Sequence, residues 1–276
     1  MKDEEQNDGN VNDAILWISF KIDLEEKMLN VLLLKRSISP QKNKWSLPGG
    51  FVQGDETLEE AARRIFVTET GILPSYLNQF RSYSDTKRDV RVINQRSEQK
   101  ARVITTAFTA IYTRDEELQR DDESEDIQWF KMPRKYLNRY IPEDMAFDHH
   151  DMLLEASNRL RMSLEYSGLA TRFLPEYFTL GQIQDIYEII WEVVLDPANF
   201  REKLTNVEGW IRESKSGPKD ADPRRGKPPT WYKEHDIPQF DRMITNPNGA
   251  VIREKESEYQ RNLDNLTGEI PIINKP

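Results

Sequence analysis

Residues 45–72, WSLPGGFVQGDETLEEAARRIFVTETGI, set a Pro-Gly-Gly turn ahead of a segment rich in glutamate and arginine. Glycines let backbone approach a ligand closely, and a helix face can gather carboxylates around a divalent cation that bridges a pyrophosphate. Such a helix needs its carboxylates at i, i+3 and i+4, because those side chains share one face. A helix read from Thr57 to Thr70, with Gly71 as its stop, carries Glu59, Glu60 and Glu69. Glu59 and Glu60 lie ten and nine residues before Glu69 and face elsewhere, so the three make no common ligand set. Other chemistries have less support. There is no cysteine, and His149, His150 and His235 show no HExxH spacing, so a zinc site lacks ligands. His149 and His150 are expected to cap or hydrogen-bond within the first domain and its closing helix. No GxSxG and no P-loop occurs.

The elements that must position the turn are strands read at 14–22, 29–37, 101–112 and 127–132, and a helix at 150–166. This describes a mixed α/β domain around one core over residues 13–166, after a flexible acidic arm at 1–12. A change of character at Ser167 marks a second domain, 167–245. TLGQIQDIYEIIWEVV (179–194) puts Leu180, Ile183, Ile186, Tyr187, Ile190 and Val194 on one helical stripe. Thr179 and Gln182 are spaced as a capping box. A second helix starts at Asp196-Pro197, a cap followed by proline, and turns Phe200, Leu204 and Val207 inward. Helix, short turn, helix and a hairpin-like stretch read as a winged helix-turn-helix. Residues 246–276 are expected to form a polar tail, and 84–100 a long loop.

Net charge is −9, yet residues 196–233 hold nine Lys/Arg against six Asp/Glu. A basic segment on an acidic body permits DNA binding, since screening confines charge effects to ~8 Å. No apolar run reaches the ~20 residues that span a bilayer, and the acidic N-terminus lacks a secretory pattern. The expected compartment is the cytoplasm, with no membrane partner.

The 45–72 stretch resembles the Nudix box, G-x5-E-x7-R-E-U-x-E-E-x-G-U, with U an aliphatic residue. Gly50, Glu56, Arg64, Glu69, Gly71 and Ile72 fall at matching positions, and Phe66 occupies a U position. Ile65 and Thr68 stand where the family has metal-binding glutamates. The resemblance therefore implies an α/β/α sandwich with a mixed sheet, without the catalytic set and without a metal requirement. Arg64 and Glu69 are expected to form a residual salt bridge across the loop–helix turn. The remaining cleft would still bind: Arg36, Trp45, Gly49, Gly50, Phe51 and Arg102 are the candidate ligand contacts, arginine suiting phosphate through its planar fork.

FDHHDML (147–153), FLPEYFTLGQIQDIYEIIW (173–191), DPANFREKL (196–204) and RRGKPPTWYK (224–233) extend the resemblance to the Nudix-related, NrtR-type transcriptional regulators. That branch implies an ADP-ribose-like effector, a double-stranded DNA operator at NAD biosynthesis or salvage genes, and a homodimer. Asn199, Arg201, Lys203, Thr205 and Asn206, off the Phe200/Leu204 stripe, are candidate DNA contacts on the recognition helix. Arg224, Arg225 and Lys227 are candidates in the wing. Two other readings stay open: an ADP-ribose pyrophosphatase drawing ligands from the acidic stretch 114–126, and a sugar-responsive regulator of the same architecture.

Overall fold

The computed structural model describes residues 11–72, 76–85, 88, 90–94, 99–113, 127–132, 141–207, 209–218 and 229–235. Eight strands form one mixed sheet: β1 (Val11–Asp23), β2 (Met28–Lys35), β3 (Trp45–Ser46), β4 (Gly49–Phe51), β5 (Tyr76–Tyr83), β6 (Val90–Asn94), β7 (Gln99–Tyr112) and β8 (Ile127–Lys131). The main path runs β3-β2-β1-β7-β5, with β4 on β1, β6 on β7 and β8 on β2. β1 and β7 pair in parallel from Val11↔Arg102 to Lys21↔Tyr112, while the other pairings are antiparallel.

β1 is covered on both faces, which is why Ala14 through Phe20 are all buried. Ile15 and Trp17 point toward α1 (Leu58–Thr70), where Ile65, Phe66, Phe108 and Tyr112 complete a core. Leu16, Ile18, Phe20 and Ile22 point the other way into a second core shared with α2 (His149–Tyr166). The result is the α/β/α sandwich with a mixed sheet that the sequence implied.

After α2 come a 3-10 turn (Gly168–Phe173), α3 (Leu180–Trp191), α4 (Pro197–Thr205), and a two-stranded wing of β9 (Ile211–Ser214) and β10 (Trp231–Glu234). Phe178 bridges to Tyr232 as a third short pairing, and the whole forms a winged helix-turn-helix. Both expected caps are present: Thr179 and Gln182 close a capping box on α3, and Asp196 accepts the Asn199 N–H on α4. An added Cβ at Gly168 would lie 2.5 Å from Trp210 Nε1, so only glycine admits that indole.

Four expectations need correction. β5 falls in a region not read as a strand, and β6 lies inside the expected 84–100 loop, where it pairs with β7. β1 begins at Val11, inside the expected arm. α3 stops at Trp191, because Glu192 adopts a left-handed conformation (φ 55°); Val194 therefore leaves the stripe and is 91% exposed. The acidic stretch 114–126, the first ten residues of the arm and the 246–276 tail lie outside the described residues.

Candidate functional site

The loop–helix turn is held by its own side chains. Thr57 caps α1 by accepting the Glu60 N–H at 3.2 Å, and the Glu60 carboxylate accepts the Thr57 N–H at 2.8 Å. Glu60 is thus committed to the cap, and these hydrogen bonds lower its pKa. Arg64 reaches back to Glu56, with Nε 2.8 Å from Oε2 and Nη2 on Oε1, and donates to the Phe51 carbonyl at 3.0 Å. The bridge across the turn is therefore Arg64–Glu56, where Arg64–Glu69 had been expected. Glu56 sits at the foot of the loop and also accepts the Gln53 N–H at 2.7 Å. Ile65 is buried and lies beneath Gly50, 3.3 Å from where a Cβ would stand, while Thr68 Oγ1 donates to the Arg64 carbonyl. Neither side chain can carry a carboxylate's charge to a cation. Among the described residues no three His, Asp or Glu side chains converge as a metal site.

The Arg64 hydrogen bonds, followed by the Gln53 N–H, hold the Glu56 carboxyl at about 2 against an ordinary value of 4.5, although burial opposes the shift. A carboxyl whose folded pKa is depressed stabilises the fold above its unfolded pKa, and that contribution fades as pH falls toward the folded value. Urea unfolding of the wild type and Glu56→Gln is expected to show a constant stability gap above about pH 5.5. The gap should narrow steadily toward about pH 2. A gap that ignores pH over that window removes the ion pair as the turn's fastening.

Beside this turn the sheet opens into a cleft with about 150 Å3 of free volume. Of the six expected ligand contacts, it brings together Arg36, Gly49, Gly50 and Phe51. A Cβ at Gly49 would lie 2.3 Å from the Ile15 carbonyl oxygen, so this wall is bare backbone by steric necessity. Arg36 stands just past β2, its Nε on the Pro40 carbonyl at 3.0 Å and its guanidinium 5.1 Å from the Phe147 ring. Trp45 and Arg102 are not part of the lining. Trp45 packs edge-on against Phe130 at 4.8 Å, and Arg102 donates to the Ser84 carbonyl.

The cleft also holds residues that sequence reasoning missed: Arg88, Thr105 and His149. Arg88 is 5% exposed and donates to Asp148 Oδ2 at 2.6 Å and to Thr105 Oγ1 at 2.7 Å. It hid inside the stretch read as a loop, where nothing local separates it from a solvated arginine. His149 Nδ1 accepts the Leu47 N–H at 3.1 Å, which ties the start of α2 to the turn before the glycines.

The second surface is α4. Phe200 and Leu204 are buried, while Asn199, Arg201, Lys203, Thr205 and Asn206 are all exposed on the outward side. Thr205 Oγ1 bonds back to the Arg201 and Glu202 carbonyls, which fixes its hydroxyl on the helix. Arg224, Arg225 and Lys227 lie outside the described residues.

Comparison with known proteins supports the division into these two parts. The sequence model of the NUDIX domain matches residues 19–145, and that of the NrtR DNA-binding winged helix domain matches residues 170–233. The ADPR responsive transcriptional repressor NtrR of Acinetobacter baylyi is 33% identical over 230 residues, covering 81% of this chain and 84% of that protein. The ADP-ribose pyrophosphatase of Methanocaldococcus jannaschii is 32% identical over 128 residues, 46% of this chain and 66% of that one. In structure, Shewanella oneidensis NrtR, solved with a 27mer DNA, superposes with a TM-score of 0.66 at 23% identity over 84% of this chain and 99% of that one, a likeness of fold. With both domain models matched in tandem and a relative aligned along most of both chains, this chain belongs to the NrtR family, a Nudix domain joined to a DNA-binding winged helix.

Proposed function

We propose that the chain is an ADP-ribose-responsive transcriptional repressor whose Nudix domain binds the nucleotide in the Arg36/Gly49/Gly50/Phe51 cleft. The observation that carries this reading is the pairing of a backbone-walled, arginine-bearing cleft with an outward polar helix face in one chain. Its similarity to the Acinetobacter baylyi repressor along most of both chains supports the same reading. The box serves as a scaffold in this account. Ile65 and Thr68 replace the carboxylates that magnesium would need, and the donors present do not fit the cation, so no hydrolytic step is assigned. A cytoplasmic homodimer on a palindromic operator at NAD biosynthesis or salvage genes, read by Asn199, Arg201, Lys203, Thr205 and Asn206, completes the proposal. No described helix is long and apolar enough to cross a membrane.

Binding shifts a two-state equilibrium only through the difference in its affinity for the two states. The test is selection of genomic DNA fragments by the purified chain, repeated with ADP-ribose. Specific fragments are expected to be retained, and then released by the nucleotide. Failure to retain any specific fragment in either condition sinks the regulator reading. Measurable ADP-ribose turnover that Glu69→Gln abolishes restores the hydrolase.

A further inference from the structure

The start of α2 holds a capping residue that does not cap. Asp148 occupies the N-cap position at φ −100°, ψ 20°, away from the extended backbone of Thr57, Thr179 and Asp196, and its side chain makes no cap hydrogen bond. One carboxylate oxygen, Oδ2, is taken by Arg88 Nε at 2.6 Å; the other, Oδ1, is buried and accepts no hydrogen bond. Arg88 itself lines the cleft, with Nη1 on Thr105 and Nη2 near the weak acceptor Met152 Sδ at 3.5 Å. Its guanidinium is therefore within reach of both a cleft ligand and the head of a helix.

We propose that Arg88 and Asp148 form an effector-released latch, in which phosphate groups of the bound nucleotide take the Arg88 guanidinium and the freed Asp148 carboxylate turns to cap α2. The proposal rests on the effector reading above and adds how the site is regulated. Arginine prefers phosphate because parallel hydrogen bonds form to two oxygens. Capping gives the released carboxylate a new set of donors, the free N–H groups of the first turn, and relieves the orphaned Oδ1. The two arrangements are discrete, and the ligand favours one of them.

The far end of α2 carries the change to the DNA-binding unit. Arg161, 4% exposed, donates Nε to the Ile190 carbonyl at 2.9 Å. Trp191 Nε1 donates to the Arg161 carbonyl at 3.0 Å, and the Tyr187 hydroxyl to the Leu164 carbonyl at 3.0 Å. α3 is thereby fixed to α2 by three buried hydrogen bonds, and α4 packs on α3 through Phe200 and Tyr187. A shift at the head of α2 is transmitted as a rigid displacement of the helix that carries the outward face.

Asp148→Asn removes the charge that competes for Arg88 while keeping a good capping side chain. In calorimetry on the full chain, this variant is expected to bind ADP-ribose about tenfold more tightly than wild type, within the usual span of coupled sites. Its nucleotide-free affinity for a retained DNA fragment should fall toward that of ADP-ribose-bound wild type, with little further release on adding nucleotide. The second readout separates the latch from a simple change in cleft charge, which leaves nucleotide-free DNA affinity alone. Wild-type binding of ADP-ribose with an unchanged Asp148→Asn variant overturns the latch and spares the effector reading; no ADP-ribose binding by wild type overturns both. Should Asp148→Asn lose its native circular dichroism, NMR of the wild type carries the test. The Arg88 Nε–H and the backbone N–H groups of His150 and Asp151 are expected to shift on saturation with ADP-ribose and to stay put with adenosine. Unmoved signals under ADP-ribose overturn the proposal.

Discussion

Arg161→Ala is expected to lower the unfolding free energy by about 3 kcal/mol, the scale for removing one member of a buried polar cluster. The guanidinium is enclosed between two helices, bonded to Ser157 within α2 and to the Ile190 carbonyl of α3, with Glu192 3.8 Å away. Alanine removes these donors at once, leaves the Ile190 carbonyl in a dry environment, and opens a cavity the length of the lost side chain. Arg161→Met fills the volume without restoring the donors. The methionine variant should recover part of the loss, and the remainder measures the hydrogen bonds. Urea unfolding followed by tryptophan fluorescence reads both, since Trp191 donates to the Arg161 carbonyl and reports on the same junction. A loss below about 1 kcal/mol for the alanine variant means that the Arg161 side chain does not fasten the junction. In that case the Trp191 and Tyr187 hydrogen bonds and the apolar packing hold the helix pair.

Parts of this arrangement were legible in the sequence because their causes are local. α1 could be bounded from its composition and from Gly71, which adopts φ 76° at the C-terminal cap. α4 announced itself through Asp196, Pro197 and two apolar residues four apart. The cleft's glycine wall followed from the turn that makes it. What was hidden depends on distant partners. β5, YLNQFRSY, is an edge strand whose Asn, Gln, Arg and Ser face outward in no clean alternation, and β7 alone makes it a strand. Trp45, expected in the cleft, and Arg88, given no role, were misplaced for the same reason. The tryptophan found Phe130 across the sheet and left the cleft, while the arginine was drawn into it by Asp148 from sixty residues away. Val194 shows the limit of periodicity: the stripe continues in the sequence, but the backbone turns left-handed at Glu192 and the residue faces solvent.

The recognition helix itself gives the second large effect. α4 has nine residues, well short of the ~12–15 that an isolated helix needs to be even marginal in water, so its existence depends on tertiary anchoring. Phe200 is the principal anchor, 4% exposed and packed edge-on against Tyr187 with ring centroids 5.1 Å apart; Leu204, fully buried, is the second. Phe200→Ala removes a buried aromatic and is expected to cost about 3–5 kcal/mol. The helix should lose its seat, and DNA affinity measured by fluorescence anisotropy on a retained fragment should fall more than about a hundredfold. ADP-ribose affinity, set by cleft residues none of which lies on α4, should change little. Arg201→Ala gives the contrasting result. Its side chain is exposed, so stability should stay within about 0.5 kcal/mol while DNA affinity drops by about 1–3 kcal/mol. The comparison separates the residues that hold the helix from those that read DNA. If Phe200→Ala binds DNA as well as wild type, α4 is not the reading element and the interface must be sought on the wing.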